Sequence, residues 1–289
     1  MSELATHLGS LLGVSVVAEH TAGRGHAWTL YRVRLADGRD AFVKSAAGEP
    51  DSTSGHALTA EAAGLRWLRE ADAAELIPQV LGADERTLVL PWLTSVAPSR
   101  AAAEQFGAAL AELHTHTVER YGAPWAGCIA TVPQDNALVA GEWGPWYARY
   151  RLRPLLPAAA SVLGRNGIRL VERVIEDIGA LAGPPEPPCR IHGDLWSGNV
   201  LWTERGVTLI DPAAHGGHRE TDLAMLRLFG APHLGHILGA YRERFPLSPG
   251  AERRIALHQL YPLLVHVVLF GGGYREQAIG AAQEALSAV

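Results

Sequence analysis

The sequence predicts an α+β fold of two unequal lobes, a small antiparallel sheet with one helix followed by a larger, mainly helical region. Two observations lead there. β-like segments separated by turn signals fill roughly the first ninety residues, and from about residue 99 the texture changes to long amphipathic stretches. The length of 289 residues suits one large unit or two unequal lobes. The expected division assigns 1–93 to the first lobe and 94–289 to the second, with Pro91-Trp92-Leu93 as the hinge.

In the first lobe, 14–18, 28–35 and 40–44 read as strands, and Asp37-Gly38 is the hairpin signal between the second and third. Leu58, Ala62, Leu65 and Leu68 recur at helical spacing within 57–71, and 87–90 reads as a further strand. In the second lobe, helices are expected over 100–116, 143–161, 168–182, 220–229, 233–244, 251–270 and 274–287. Pro154 and Pro262 should break or kink two of them, because proline has no N–H for the helical ladder. The run from Gly183 to Pro188 cannot be helical and reads as a stiff connector.

Composition narrows the function classes. A net charge of −5 and no run of Lys or Arg leave no basic field for a nucleic acid. The N-terminus has no cationic start before its modest apolar stretch, and no segment approaches 18 consecutive apolar residues, so no membrane partner and a cytoplasmic location are expected. Cys128 and Cys189 are the only cysteines, without the spacing of a zinc or redox motif, and read as free thiols.

The chemistry concentrates in residues 190–212, RIHGDLWSGNVLWTERGVTLIDP. Phosphoryl transfer requires a base to orient the acceptor hydroxyl and hard oxygen ligands to hold magnesium against phosphates. Asp194, Asn199 and Asp211 supply that set: Asp194 as base, Asn199 five residues on as a metal ligand, and Asp211 as a second ligand at the end of an expected hairpin, 200–202 with 207–210. Taken singly, each residue also suits a turn or a cap; the strand-flanked spacing favours the catalytic reading.

Upstream, Lys44 closes the strand Ala41-Phe42-Val43-Lys44, the position of a phosphate-holding lysine, and Glu61 on the next helix is placed to pair with it. A lysine at a strand end is otherwise an ordinary solvated charge. Gly23 and Gly25 fall where a phosphate-covering turn belongs, although Trp28 stands where a third glycine would complete the motif. Pro91, Trp92 and Leu93 are placed to read an adenine edge, or simply to link the lobes.

The stretches His192–Val200, Ile210–Ala213 and Gly217–Met225 closely resemble the fructosamine (ketosamine) kinases, within the protein-kinase-like fold shared with aminoglycoside and choline kinases. Ala108–His114 and Arg151–Leu156 fit as well, so the resemblance spans nearly the whole chain. It implies a bilobal enzyme that uses ATP and Mg²⁺ to phosphorylate the 3-hydroxyl of a ketosamine, a glycation adduct on a protein or small amine, in a deglycation role. It implies that Asp194 accepts the proton, Asn199 and Asp211 hold Mg²⁺, Lys44 and Glu61 serve the phosphates, and Pro91, Trp92 and Leu93 line the adenine site.

Two departures stand out. Asp211 is followed by Pro212-Ala213 instead of Phe-Gly, so no Phe-driven switch is expected, and residues 22–28 contain no cysteine for thiol switching. Trp196, His215, His218, Arg219 and Glu220 are the candidates for contact with substrate, and Asp222 is a cap or a brace for the catalytic loop.

The alternatives are another hydroxylated acceptor on the same fold (an aminoglycoside, choline or an amino acid), a metal-dependent hydrolase using His192, Asp194, Asp211, His215 and His218, and a silent nucleotide-binding scaffold. Arg149, Arg151 and Arg153 disfavour a cationic antibiotic, and Lys44 with Glu61 has no use in a hydrolase.

Overall fold

The computed structural model describes residues 2–25, 27–46, 53–71 and 75–288. It opens with a helix that the sequence reading did not isolate, α1 (Glu3–Leu12). The Ser2 hydroxyl caps it by accepting the Ala5 N–H at 3.0 Å, and Gly13 stops it in the left-handed conformation, φ 68°. Ala5 and Leu8 pack with Val16, Val33, Val43 and Val89, so α1 covers one face of the sheet that follows.

That sheet has five antiparallel strands, β1 (Val16–Arg24), β2 (Trp28–Leu35), β3 (Asp40–Ala46), β4 (Gly82–Ala83) and β5 (Thr87–Pro91), in the order β1-β2-β3-β5-β4. The Asp37-Gly38 turn forms, with Gly38 at φ 87°. β1 runs further than expected. Gly23 and Arg24 pair with Leu30 and Thr29 after a register shift, which leaves Gly25 just past the strand; His26 lies outside the described residues.

The helix between β3 and β4, α2 (Thr53–Arg69), joins the two halves of the molecule. Its Leu58, Leu65 and Leu68 share one core with Phe106 and Leu110 of α3 (Arg100–Thr115) and with Leu195 and Trp202 around the catalytic loop. Fully burying a leucine is worth about 2 kcal/mol, so this contact fixes Glu61 relative to that loop.

The chain continues through a hairpin, β6 (Gly127–Ile129) and β7 (Val132–Gln134), and then α4 (Trp143–Tyr147). The expected break at Pro154 is observed: a π turn over 148–152 and a 3₁₀ turn over 153–155 precede α5 (Leu156–Glu176), itself interrupted at Gly164, φ 69° and ψ 173°. Next come α6 (Ile178–Leu181), β8 (Cys189–Ile191), β9 (Val200–Thr203), β10 (Gly206–Leu209), β11 (His215–Gly217), α7 (Glu220–Phe229), α8 (Leu234–Arg244), α9 (Ala251–Phe270) and α10 (Arg275–Ser287).

At Pro262 the expected break does not occur, and α9 runs through it. The ladder is rearranged instead. The Tyr147 hydroxyl inserts between Tyr261 and Leu257, accepting the N–H at 3.0 Å and donating to the carbonyl at 2.8 Å, so the groups beside the proline keep partners. Ala251–Ser287 is long and apolar enough to cross a membrane, but its most apolar window is 56% buried, as suits a core helix.

Candidate active site

The loop between β8 and β9 carries the motif, and its backbone is held from behind. Asp222 on α7, fully buried, accepts the N–H groups of His192 at 2.7 Å and Gly193 at 2.9 Å, and also contacts His114 Nε2 at 3.1 Å. Asp222 is thus the brace that the sequence offered as one of two readings. Burial lowers the His192 pKa, and its neutral ring is oriented by two bonds: Nε2 donates to the Ile210 carbonyl at 3.0 Å, and Nδ1 accepts the Asp194 N–H at 3.2 Å. Gly193, at φ 80°, passes so close to the Ala213 carbonyl that a Cβ would stand 2.3 Å from its oxygen, so only glycine fits.

Held this way, Asp194 and Asn199 meet. The Asn199 amide nitrogen donates to the Asp194 backbone carbonyl at 2.8 Å and to its carboxylate at 3.2 Å, with the Asp211 carbonyl at 3.4 Å. Three acceptors around the nitrogen fix the amide orientation and leave the side-chain oxygen without a hydrogen-bond partner among the described residues. Asp211 follows β10 at φ 54°, an uncommon conformation for a non-glycine residue and one that concentrates at functional sites.

Lys44 crosses from the sheet to this loop. Its ammonium lies 2.7 Å from Glu61 and 3.2 Å from Asp211, and sits 4.4 Å over the Trp28 ring. Burial alone would lower the lysine pKa, but the two carboxylates outweigh it and keep Lys44 charged. Burial likewise pulls Asp211 up, and the lysine more than reverses it, so Asp211 stays ionised. Asp194 has no such cation beside it: burial and then the Asp211 charge push its carboxyl up to about 7. A carboxyl poised near neutrality suits a general base, and two lone-pair donors of hard oxygen, Asn199 and Asp211, suit a divalent cation that binds oxygen.

Two cavities meet at Asp211. The larger, about 550 Å³, lies between the sheet and the helical part and is lined by Phe42, Pro91, Trp92 and Leu93, with Leu201 and Ile210 as floor. The smaller, about 220 Å³, lies over Asp194 and includes Lys44, Glu61, Asn199 and Trp196. The hinge residues and the motif residues therefore open onto adjoining spaces, as a nucleotide and an acceptor require.

Other expected residues fall elsewhere. Gly23 and Gly25 line neither cavity; β1 extends past the expected turn, and Ala22 stands in the wall. Trp196, 40% exposed, forms part of the smaller cavity. His215, His218, Arg219 and Glu220 are buried away from it and cannot touch a substrate there. His215 stacks on Trp146 and bonds the Ala213 carbonyl at 2.9 Å. Arg219 grips Glu186 through both carboxylate oxygens, at 2.7 and 2.8 Å, and Arg254 holds Glu220 in the same way, at 2.8 and 2.6 Å. His218, Glu220 and His258 cluster closely enough to suggest a metal, but Arg254 already occupies both oxygens of Glu220. The five ligands imagined for a hydrolase do not converge, because both nitrogens of His192 serve the backbone and His218 lies in this separate cluster.

Sequence reasoning missed part of the wall: Trp28, Cys128 on β6, and His266, Leu269 and Phe270 on α9. Only Trp28 carried a usable signal. Leu30 pairs with Lys44, so Trp28, two residues away on the same strand, shares a face with the lysine.

The model of the fructosamine kinase family matches residues 2–288. The chain belongs to that family. A candidate fructosamine-3-kinase from Thermobifida fusca, solved by crystallography, is 47% identical with a TM-score of 0.93, and the match covers 99% of each chain. The ketosamine-3-kinase of Mus musculus is 34% identical over 164 residues, 56% of this chain and 52% of the mouse chain. A macrolide 2'-phosphotransferase from Brachybacterium faecium, 18% identical with a TM-score of 0.63 over 98% of each chain, shares the fold alone. This fructosamine kinase relative therefore has the α+β, protein-kinase-like bilobal fold, uses ATP, and is a phosphotransferase with a hydroxyl acceptor.

Proposed function

We propose that this protein transfers the γ-phosphoryl group of ATP to the 3-hydroxyl of a ketosamine, with Asp194 removing the hydroxyl proton. The observation that carries the reading is the meeting of Asp194, Asn199, Asp211 and Lys44 at the junction of two cavities. Adenine enters the larger cavity against Pro91, Trp92 and Leu93, and the acceptor enters the smaller one. Asn199 and Asp211 would hold Mg²⁺, which neutralises phosphate charge when bound. Lys44, oriented by Glu61, holds phosphate oxygens. Gly23 and Gly25 act by letting the backbone at the end of β1 approach them.

The acceptor wall supports a sugar over a polycation. Its carboxylates are Glu61, Asp194 and Asp211, each committed to the lysine, the proton or the metal, and apart from Lys44, Asn199, Cys128 and His266 the rest is aromatic or apolar. The argument from Arg149, Arg151 and Arg153 is weaker than the sequence suggested. Arg151 is fully buried on the Asp135 carbonyl and Asn136, and none of the three lines the cavity. Loss of the amine from the phosphorylated adduct would give a deglycation role in the cytoplasm, where ATP is available.

The test is a panel of ribulose- and fructose-type ketosamines, an aminoglycoside and choline with Mg²⁺-ATP, reading ADP and locating the phosphate by NMR. Phosphate on the 3-hydroxyl of ketosamines is expected; faster turnover of the aminoglycoside or choline would overturn the assignment.

A further inference from the structure

The smaller cavity has one polar group that proton transfer and phosphate binding leave unused, the imidazole of His266. It lies on α9 one turn before Phe270, and both side chains line the cavity with Trp196. Aromatic rings hem it in: Tyr274 at 4.7 Å, Phe229 at 5.0 Å and Phe270 at 5.5 Å between centroids. Phe229 also carries Trp196 edge-on at 6.0 Å, so the four rings and the imidazole form one continuous aromatic wall, of which Trp196, His266 and Phe270 face the cavity.

Within that wall the ring's chemistry is fixed. Nδ1 stands 2.7 Å from the Pro262 carbonyl, and since a carbonyl only accepts, the proton is on Nδ1. Burial lowers the His266 pKa, so the ring is neutral at physiological pH and Nε2 carries a lone pair. No hydrogen-bond partner for Nε2 is found among the described residues. The neighbouring wall residues Val265, Leu269 and Phe270 offer no donor, so this half-buried nitrogen is left for water or for a hydroxyl that enters the cavity.

We propose that His266 is a specificity-determining residue that accepts a hydrogen bond from a hydroxyl of the acceptor other than the one phosphorylated. The inference rests on the ketosamine reading of the same cavity and adds to it. Asp194 engages the reacting hydroxyl, whereas His266 recognises the polyol by a second one, against an aromatic surface that suits the C–H faces of a sugar. An acceptor with a single hydroxyl, such as choline, makes no such bond. The selectivity comes from shutting this half-buried acceptor off from water without a partner when the wrong molecule is bound.

Two variants test it in the full-length enzyme. His266→Phe keeps a ring in the wall and removes the acceptor, and His266→Gln restores an oxygen near the Nε2 position. Both are assayed on a fructosamine and on analogues each lacking one non-reacting hydroxyl. We expect His266→Phe to raise the acceptor KM about ten-fold with the ATP KM unchanged, and His266→Gln to recover most of that loss. One deoxy analogue should show a similar loss in the wild type and no further loss in the Phe variant. Equal effects on every analogue, or a Phe variant matching wild type, would overturn the proposal. Should the Phe variant misfold, wild-type indifference to every deoxy analogue overturns it as well. If the wild type turns over a different acceptor and no ketosamine, the functional assignment fails by itself. The same comparison on that acceptor then decides the role of His266.

Discussion

The carboxylate of Asp222 accepts the backbone N–H of Gly193 at 2.9 Å, one residue before the base. The contact joins α7 to the catalytic loop, and a second bond from the same carboxylate takes the His192 N–H. Asp222→Ala leaves three buried donors without partners, the two backbone N–H groups and His114 Nε2, each costing about 1–3 kcal/mol. Turnover should fall at least about a hundred-fold, with Mg²⁺-ATP affinity nearly kept, because no nucleotide-cavity residue is bonded to Asp222. Calorimetry with ATP and a turnover assay check the two halves; parallel losses in both would mean that the change spreads beyond the loop.

Gly198 lies under the Trp196 indole, where a Cβ would come within 2.3–2.7 Å of three ring carbons. Gly198→Ala must swing the ring out of the acceptor wall. We expect the acceptor KM to rise about ten-fold with the ATP KM unchanged, measured by steady-state kinetics at varied concentrations of each substrate. An unchanged acceptor KM would show that Trp196 serves only as an anchor.

Asp194 also has a stability signature. Its carboxyl is raised from the ordinary 3.8 to about 7 by burial and by Asp211. Below the ordinary value it is protonated in both folded and unfolded chains and costs nothing. Between that value and about 7 the unfolded chain ionises first, so the folded state loses stability as pH rises, and above about 7 the full penalty is present. Asp194→Asn removes the ionisation. Without nucleotide, the variant should melt several degrees above wild type at pH 8, with the gap closing towards pH 4. A gap of the same size at both pH values would exclude ionisation as its cause.

The sequence revealed the site where the chemistry is local. The Asp194–Asn199 interval and the hairpin ending at Asp211 lie within adjacent elements, so spacing suggested their convergence, whereas Lys44, 167 residues from Asp211, was picked out by its place at a strand end and by the resemblance. Arg219 and Glu220 looked like substrate contacts because they are charged and follow the motif. Their partners Glu186 and Arg254 lie 33 and 34 residues away, and nothing in a linear reading reveals that pairing. The acceptor wall was hidden for the same reason, since β6 and the end of α9 reach the cavity only through tertiary packing. α1 was missed because its ten residues are short for a period to register, although Ser2 and Gly13 mark its two ends. At Pro262 the chain stays helical where a break was one of two expectations, because Tyr147, from another helix, partners the opened ladder.

The most direct measurement is single-turnover phosphoryl transfer by Asp194→Asn with Mg²⁺-ATP and a saturating ketosamine, alongside the Mg²⁺-ATP dissociation constant. Removing a general base should slow transfer about 10²–10⁴-fold and leave the dissociation constant within about threefold. Transfer within tenfold of wild type would contradict the assignment of Asp194 as base and the phosphoryl-transfer centre built around it.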